Sequence, residues 1–211
     1  MKVIAVSQRV EKFKEFKEVR DALDQRWAGF FKKLKAVIYP VPNYSRNPEE
    51  FFGKLKINGV VLSGGNDLFV FSTKSRTLER DIMEYKLIEY AIKKHVPLIG
   101  VCRGMQMICH YFGMKLQLVR NHAGVHHTVD FNKLCEPARY FQKIKKVNSY
   151  HDYGILCENV SSKFEIFASQ GNVVEGIIHK KLKIAGLMWH PERENPFRLQ
   201  NLNFFMEFLD L

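Results

Sequence analysis

Apolar residues along this 211-residue chain fall into short β-branched runs, separated by longer stretches whose apolar positions recur at helical spacing. Val3–Ser7 reads as a strand, and Phe13 to about Lys33 as one long amphipathic helical region. Ala36–Val41 is a second strand, ended by Pro40 and Pro42. Pro48–Leu55 reads as a short helix, with Asn47 as N-cap and Pro48 at its first position. Val60–Leu62 is a strand that runs into Ser63-Gly64-Gly65-Asn66-Asp67. Glu79–Lys94 is a helix with Ile82, Leu87, Ile88 and Ala91 near one face.

The pattern then reaches Val96-Pro97-Leu98-Ile99-Gly100-Val101-Cys102-Arg103-Gly104-Met105-Gln106. A buried-strand run stops at a cysteine with a glycine two residues to either side, and Met105–Phe112 continues as a helix. Strand, sharp turn and helix form the layout of a nucleophile elbow, with sulfur in place of a hydroxyl. The turn lifts the side chain above the sheet, and the helix start below it favours a thiolate. A base for that nucleophile is available far downstream, in Trp189-His190-Pro191-Glu192. Cys109, Cys135 and Cys157 lack such surroundings and read as ordinary thiols.

Beyond the elbow the pattern changes to short strands. Lys115–Val119, Val129–Phe131, Lys145–Asn148, Glu165–Ala168, Val173–His179 and Ile184–Trp189 are the candidates, with Gln170-Gly171-Asn172 as a hairpin turn. Phe197–Leu211 reads as a closing helix with Leu202, Phe205, Met206 and Leu209 as its core stripe. The alternation predicts an α/β fold in one domain, residues 1–211. Its central, mostly parallel, flavodoxin-like sheet is flanked by helices and carries extra antiparallel strands at one edge.

Composition narrows the function classes. Hydrophobic residues make up 46% and charged residues 26%, as in a soluble globular protein, and no apolar run approaches the roughly 18 residues needed to span a bilayer. Four cysteines without C-x-x-C spacing argue against both a disulfide framework and a zinc site, and a cytoplasmic protein is expected. The net charge of +11 is spread along the chain, without the aromatic-interleaved stripe of a nucleic-acid platform. Most of it reads as a lysine-rich solvated surface, with an anionic small substrate as the next explanation. The spacing of His122, His126 and His127 could ligate zinc, but no fourth ligand stands out, so no metal is expected.

Five segments in this order resemble the class I glutamine amidotransferase-like superfamily, in particular its standalone γ-glutamyl hydrolase branch, peptidase family C26. They are Ser63-Gly64-Gly65-Asn66-Asp67, Arg80-Asp81-x-x-Glu84, Gly100-Val101-Cys102-Arg103-Gly104-Met105-Gln106, Val147-Asn148-Ser149-Tyr150-His151 and Trp189-His190-Pro191-Glu192. The resemblance covers nearly the whole chain. Arg20-Asp21-Ala22-Leu23-Asp24-Gln25-Arg26-Trp27 is similar to a subgroup of single-domain members, part of which acts in bacterial surface-sugar pathways.

The resemblance implies Cys102 as nucleophile, His190 as general acid and base, and Glu192 as the carboxylate that orients the imidazole. It implies an oxyanion hole from the backbone N–H groups of Gly65 and Arg103, with Gly64 of the same turn as a substrate-binding residue. Gln106, Ser149, Tyr150 and His151 match positions that hold the two ends of a glutamyl group, although Tyr150 reads equally well as a packing aromatic. His151 lies in the same segment as Ser149, and the region around His122 matches a loop over the active site. Arg80, Asp81 and Glu84 read as braces for the elbow.

Hydrolysis of a γ-glutamyl amide through a thioester follows, with no cofactor. The subgroup and the basic charge point to a nucleotide-linked leaving group, with Arg103, Arg193, Lys74 and Arg76 as candidates to grip it. The alternatives are a glutaminase subunit that feeds ammonia to a separate synthetase, a γ-glutamyl-polyamine or peptide hydrolase, and a redox sensor that uses only the elbow cysteine.

Overall fold

The computed structural model of the chain describes residues 1–71 and 78–211. In chain order the first half contains β1 (Val3–Ser7), β2 (Arg9–Phe13), β3 (Glu18–Ala22), α1 (Arg26–Lys33), β4 (Val37–Val41), α2 (Glu49–Phe52), β5 (Gly59–Leu62), α3 (Leu78–Lys94), β6 (Leu98–Val101) and α4 (Arg103–Tyr111). The second half adds β7 (Leu116–Leu118), β8 (Ala123–Thr128), β9 (Asp130–Phe131), α5 (Ala138–Phe141), β10 (Lys146–Tyr150) and β11 (Tyr153–Ile155). It ends with β12 (Phe164–Gln170), β13 (Val173–His179), β14 (Ile184–Leu187) and α6 (Leu199–Phe208).

An eight-stranded sheet in the order β4-β1-β5-β6-β14-β13-β12-β9 spans both halves. β4, β1, β5, β6 and β14 pair in parallel, whereas β13, β12 and β9 continue the sheet antiparallel. The mostly parallel α/β sheet with an antiparallel edge is therefore as the sequence pattern predicts. Its central strands β1, β5, β6 and β14 are almost wholly apolar because both faces are covered, and alternate side chains serve opposite cores. Ile4, Val6, Val61, Ile99 and Val101 join α1, α5 and α6 on one face, in an aromatic cluster with Trp27, Phe30, Phe31, Phe141, Phe204 and Phe205. Ala5, Val60, Leu62 and Leu98 meet Met83, Leu87 and Ile88 of α3 and Met105 and Ile108 of α4 on the other. In α6 the core positions are Phe204, Phe205 and Leu209, while Met206 faces solvent.

One expected element is replaced. Residues 13–33 do not form a single helix: β2 and β3 make a hairpin, with Arg9 opposite Ala22 and Phe13 opposite Glu18, and only Arg26–Lys33 is helical. Lys- and Glu-rich sequence is compatible with either state, and tertiary ties decide. Arg20 lies 4.3 Å over the Phe13 ring, Asp21 accepts from Asn43 N at 2.8 Å, and Asn66 Oδ1 accepts from Val10 N at 2.9 Å. The last contact ties the hairpin to the Gly64-Gly65 turn. A second element, β8, was not apparent from the sequence pattern; it pairs with β10 and is rich in Gly and His rather than in apolar residues.

The functional end of the sheet is set by how closely α4 packs beneath it. A Cβ on Gly100 would lie 2.5 Å from Gly104 C and 2.6 Å from Ile108 Cδ1, and one on Gly104 would overlap Leu62 O. Gly100 and Gly104 are therefore required by contact, not by left-handed backbone. Gly104→Ala is expected to force α4 away from β5 and to cost about 1–3 kcal/mol of stability, as overpacking does. Urea denaturation checks this, and a change under about 0.5 kcal/mol would contradict the close-approach account.

Candidate active site

The carboxyl ends of β5, β6 and β14 lie side by side, which is where parallel α/β sheets place their ligands. β5 leads into the Gly64-Gly65 turn, β6 into Cys102, and β14 into His190. Cys102 has φ 53° and ψ −107°, an arrangement a side chain rarely adopts, at the point where β6 gives way to α4. Its N–H is fixed by Leu187 O at 2.7 Å, and its carbonyl accepts from Gln106 N at 3.1 Å. The strand–elbow–helix reading is thus realised, with the sulfur side chain turned into a cleft of about 260 Å³. Gly65, Asn66, Arg103, Gln106, Tyr150 and His190 line the same cleft, together with Arg193.

His190 is buried and held at both ends. Its Nδ1 lies 2.7 Å from Glu192 Oε1, while its backbone and the Asn148 amide exchange two hydrogen bonds, of 2.8 and 2.9 Å. With Nδ1 on the carboxylate, Nε2 is the ring nitrogen left for Cys102, which lines the same cleft. Burial alone would lower the basicity of His190, but its partners Cys102 and Glu192 outweigh it and raise its pKa from 6.5 to about 9. Gly64 leaves room for the ring: a Cβ there would lie 2.5 Å from His190 Cε1.

A buried ion network fixes the other wall. Arg80, fully enclosed, pairs with Glu84 at 2.8 Å and donates to Ser63 O at 2.6 Å, to Gly64 O at 3.1 Å and to Gly65 O. The planar trans peptide then dictates the next direction. Because Gly64 O faces Arg80, the Gly65 N–H points the opposite way. Arg103 closes the network through Asp81 and Glu84. Burial would raise the Glu84 pKa, but the Arg103 and Arg80 guanidiniums hold it below the usual carboxylate range. Burial, opposed mainly by Glu84, brings Arg80 down to about 10. The bracing role read for Arg80, Asp81 and Glu84 matches this geometry.

Other candidate residues separate into two groups. Tyr150 is half-exposed, meets the His190 ring edge-on at 5.6 Å and lies 4.6 Å beneath the Arg193 guanidinium, so it is a wall of the cleft. Gln106 also faces the cleft, with its amide nitrogen donating to Tyr153 O at 2.8 Å. Ser149 is fully buried and outside the cleft lining; its hydroxyl donates to His122 O. His151 lines the cleft as well, but its ring is buried, with Nδ1 3.0 Å from Tyr153 O and Nε2 turned toward Glu175. The Arg103 side chain, a candidate for gripping a leaving group, is not free to do so, because both its terminal nitrogens pair with acids. Lys74 and Arg76 lie outside the described residues. Asn148 and Glu175 were not singled out in the sequence. For Asn148 the signal was its place in the Val147–His151 segment, whereas nothing local marked Glu175.

The remaining thiols behave as read. Burial pushes Cys109 up to about 12, and burial with the Glu165 carboxylate does the same for Cys135.

Comparison with known proteins agrees with this geometry. The Peptidase C26 family model matches residues 2–192. The chain belongs to the peptidase C26 family. It is a hydrolase of carbon–nitrogen amide bonds, and no helix among the described residues is long and apolar enough to cross a membrane. It is 34% identical to the γ-glutamyl-CDP-amidate hydrolase of Campylobacter jejuni, over 99% of this chain and 98% of that protein. A glutamine amidotransferase from Thermotoga maritima shares the fold, with a TM-score of 0.62 at 18% identity over 99% of this chain and 84% of that one. So does a Thermoplasma acidophilum protein assigned to GMP synthase, with a TM-score of 0.70 at 21% identity over 100% and 93% of the two chains.

The raised basicity of His190 makes a direct prediction. Its imidazole is expected to titrate near pH 9 by NMR, and nearer its ordinary value of 6.5 in Glu192→Gln. The matching stability is fully present below pH 6.5 and is lost as pH rises through about 9. A wild-type midpoint near 6.5 would contradict the assigned pairing.

Proposed function

We propose that the chain cleaves a γ-glutamyl amide through a thioester on Cys102, with γ-glutamyl-CDP-amidate as substrate and cytidine diphosphoramidate and L-glutamate as products. The observation that carries this reading is that Cys102 and His190 line one cleft, with Glu192 on the Nδ1 side of the imidazole, within a chain similar over nearly its full length to a hydrolase of that name. The chemistry follows from the geometry. The Cys102 sulfur attacks the γ-carbonyl carbon, and charge gathers on the carbonyl oxygen.

Two backbone donors are suited to receive that charge, the Gly65 N–H turned away from Arg80 and the Arg103 N–H in the first turn of α4. One such donor is worth about 2.7–4 kcal/mol in the transition state. His190 gives its Nε2 proton to the leaving nitrogen as the C–N bond breaks, which leaves the glutamyl thioester. Water then adds to the thioester carbon and passes a proton to His190, and the C–S bond breaks to release glutamate and the thiolate. Glu192 holds the imidazole in the tautomer that both steps require.

Gln106 and Tyr150 are the residues best sited to hold the glutamyl moiety. Arg193, over Tyr150 and at the same cleft, is the described cation best sited for a diphosphate leaving group. The reading fits a cytoplasmic enzyme of capsular polysaccharide modification that acts on a small nucleotide-linked substrate. It needs neither a synthetase partner nor a cofactor.

The test is steady-state kinetics with γ-glutamyl-CDP-amidate, glutamine and γ-glutamyl-polyamine conjugates. The expected result is the highest kcat/KM for the nucleotide-linked amide. His190→Ala should lower that rate on the order of 10²–10⁴-fold, and Cys102→Ala should abolish it. A higher kcat/KM for glutamine would replace this assignment with an ammonia-supplying glutaminase.

A further inference from the structure

Beside the cleft, which His151 also lines, four buried residues turn ring nitrogens and a carboxylate toward one point. His122 enters from just before β8 and His127 from within it, His151 from just after β10, and Glu175 from β13. All four are at least nine-tenths buried, and their ligating atoms lie within 4.8 Å of one another. Glu175 Oε1 lies 3.1 Å from His122 Nδ1, 3.4 Å from His127 Nε2 and 3.6 Å from His151 Nε2. None of these nitrogens, and neither oxygen of Glu175, makes a well-directed hydrogen bond. Buried polar atoms left in that condition cost about 1–3 kcal/mol each, so a group of five calls for a common partner.

The tautomers say what kind of partner. His127 Nδ1 lies 3.0 Å from Thr128 O and His151 Nδ1 lies 3.0 Å from Tyr153 O, and a carbonyl can only accept. Both rings therefore carry their proton on Nδ1 and present an Nε2 lone pair to the centre. There it faces another acceptor, the Glu175 carboxylate. Acceptors aimed at acceptors need a cation between them. A backbone carbonyl on the far nitrogen is also the usual support of a metal-bound histidine.

Spacing agrees with a small tetrahedral ion: bonds of about 2.0–2.2 Å put neighbouring ligand atoms about 3.3–3.5 Å apart. His126, on the same strand, is exposed and takes no part. The strand's alternation thus removes one histidine of the sequence trio, and folding supplies His151 and Glu175 in its place.

We propose that His122, His127, His151 and Glu175 form a closed, four-coordinate site for a divalent transition metal, zinc by ligand type, that locks β8, β10 and β13 together beside the cleft. Three neutral imidazoles and one carboxylate leave the occupied site with a charge of +1 and no open position, so the ion is structural. It holds the Tyr150–His151 turn in place and does not touch the reacting atoms.

The test is elemental analysis of the full chain purified without chelators, then dialysed against zinc. About one zinc per chain is expected, retained in His126→Gln and in Cys102→Ala and lost in Glu175→Gln and His127→Gln. Stripping the metal should lower Tm, and refilling with Co(II) should give the visible absorption of a tetrahedral cobalt site. Less than about 0.1 equivalent of any metal in the wild type would overturn the proposal and assign the cluster to a bound proton. So would zinc retained in Glu175→Gln but lost in Cys102→Ala. Should the ligand variants fail to fold, wild-type stoichiometry and the cobalt spectrum decide.

Discussion

Everything at the carboxyl end of the sheet hangs on two arginines and two acids that share one dry compartment. Arg80 and Glu84 are fully enclosed, and Arg103 and Asp81 complete the set. Each charge would be costly alone; pairing with the others, and the bonds from Arg80 to the Ser63–Gly65 carbonyls, make the set tolerable. The same bonds set geometry. By pulling those carbonyls inward, Arg80 turns the Gly65 N–H outward, and by anchoring Arg103 the acids seat the first turn of α4 under the sulfur. Electrostatic satisfaction in the core and donor direction at the cleft are one constraint.

The strained backbone of Cys102 belongs to the same construction. A non-glycine residue at φ 53° persists only where its surroundings over-determine it. Leu187 O on one side, Gln106 N on the other, and the tight seat of Gly104 on β5 do so here. His190 is positioned independently, by Asn148 on its backbone and Glu192 on its ring. Two separately fixed groups meet across the cleft, so little rearrangement is needed before reaction.

How much of this could be read beforehand follows from the range of the interactions. Cys102, its flanking glycines and the α4 helix are local, and the apolar run followed by Gly-x-Cys-x-Gly marks them directly. The parallel sheet was legible because both of its faces are buried, which makes its strands continuous apolar runs. The β2–β3 hairpin was not, since Glu18–Ala22 suits a helix and contacts with Asn43, Asn66 and the Phe13 ring favour the strand. The histidine cluster was half-legible: His122 and His127 stand close in sequence, but His151 and Glu175 reach them only through β10 and β13. Ser149 matched a binding segment, yet its side chain turns inward, a matter of pleat and register that sequence order alone does not fix.

The account rests on a covalent link between the Cys102 sulfur and the substrate carbonyl. Rapid quenching of enzyme and γ-glutamyl-CDP-amidate into acid, followed by intact-protein and peptide mass spectrometry, examines that link directly. A transient adduct of one glutamyl residue, confined to the peptide containing Cys102 and lost with hydroxylamine, is the predicted result. Full turnover with no adduct at any quench time, together with activity retained in Cys102→Ala, would contradict it.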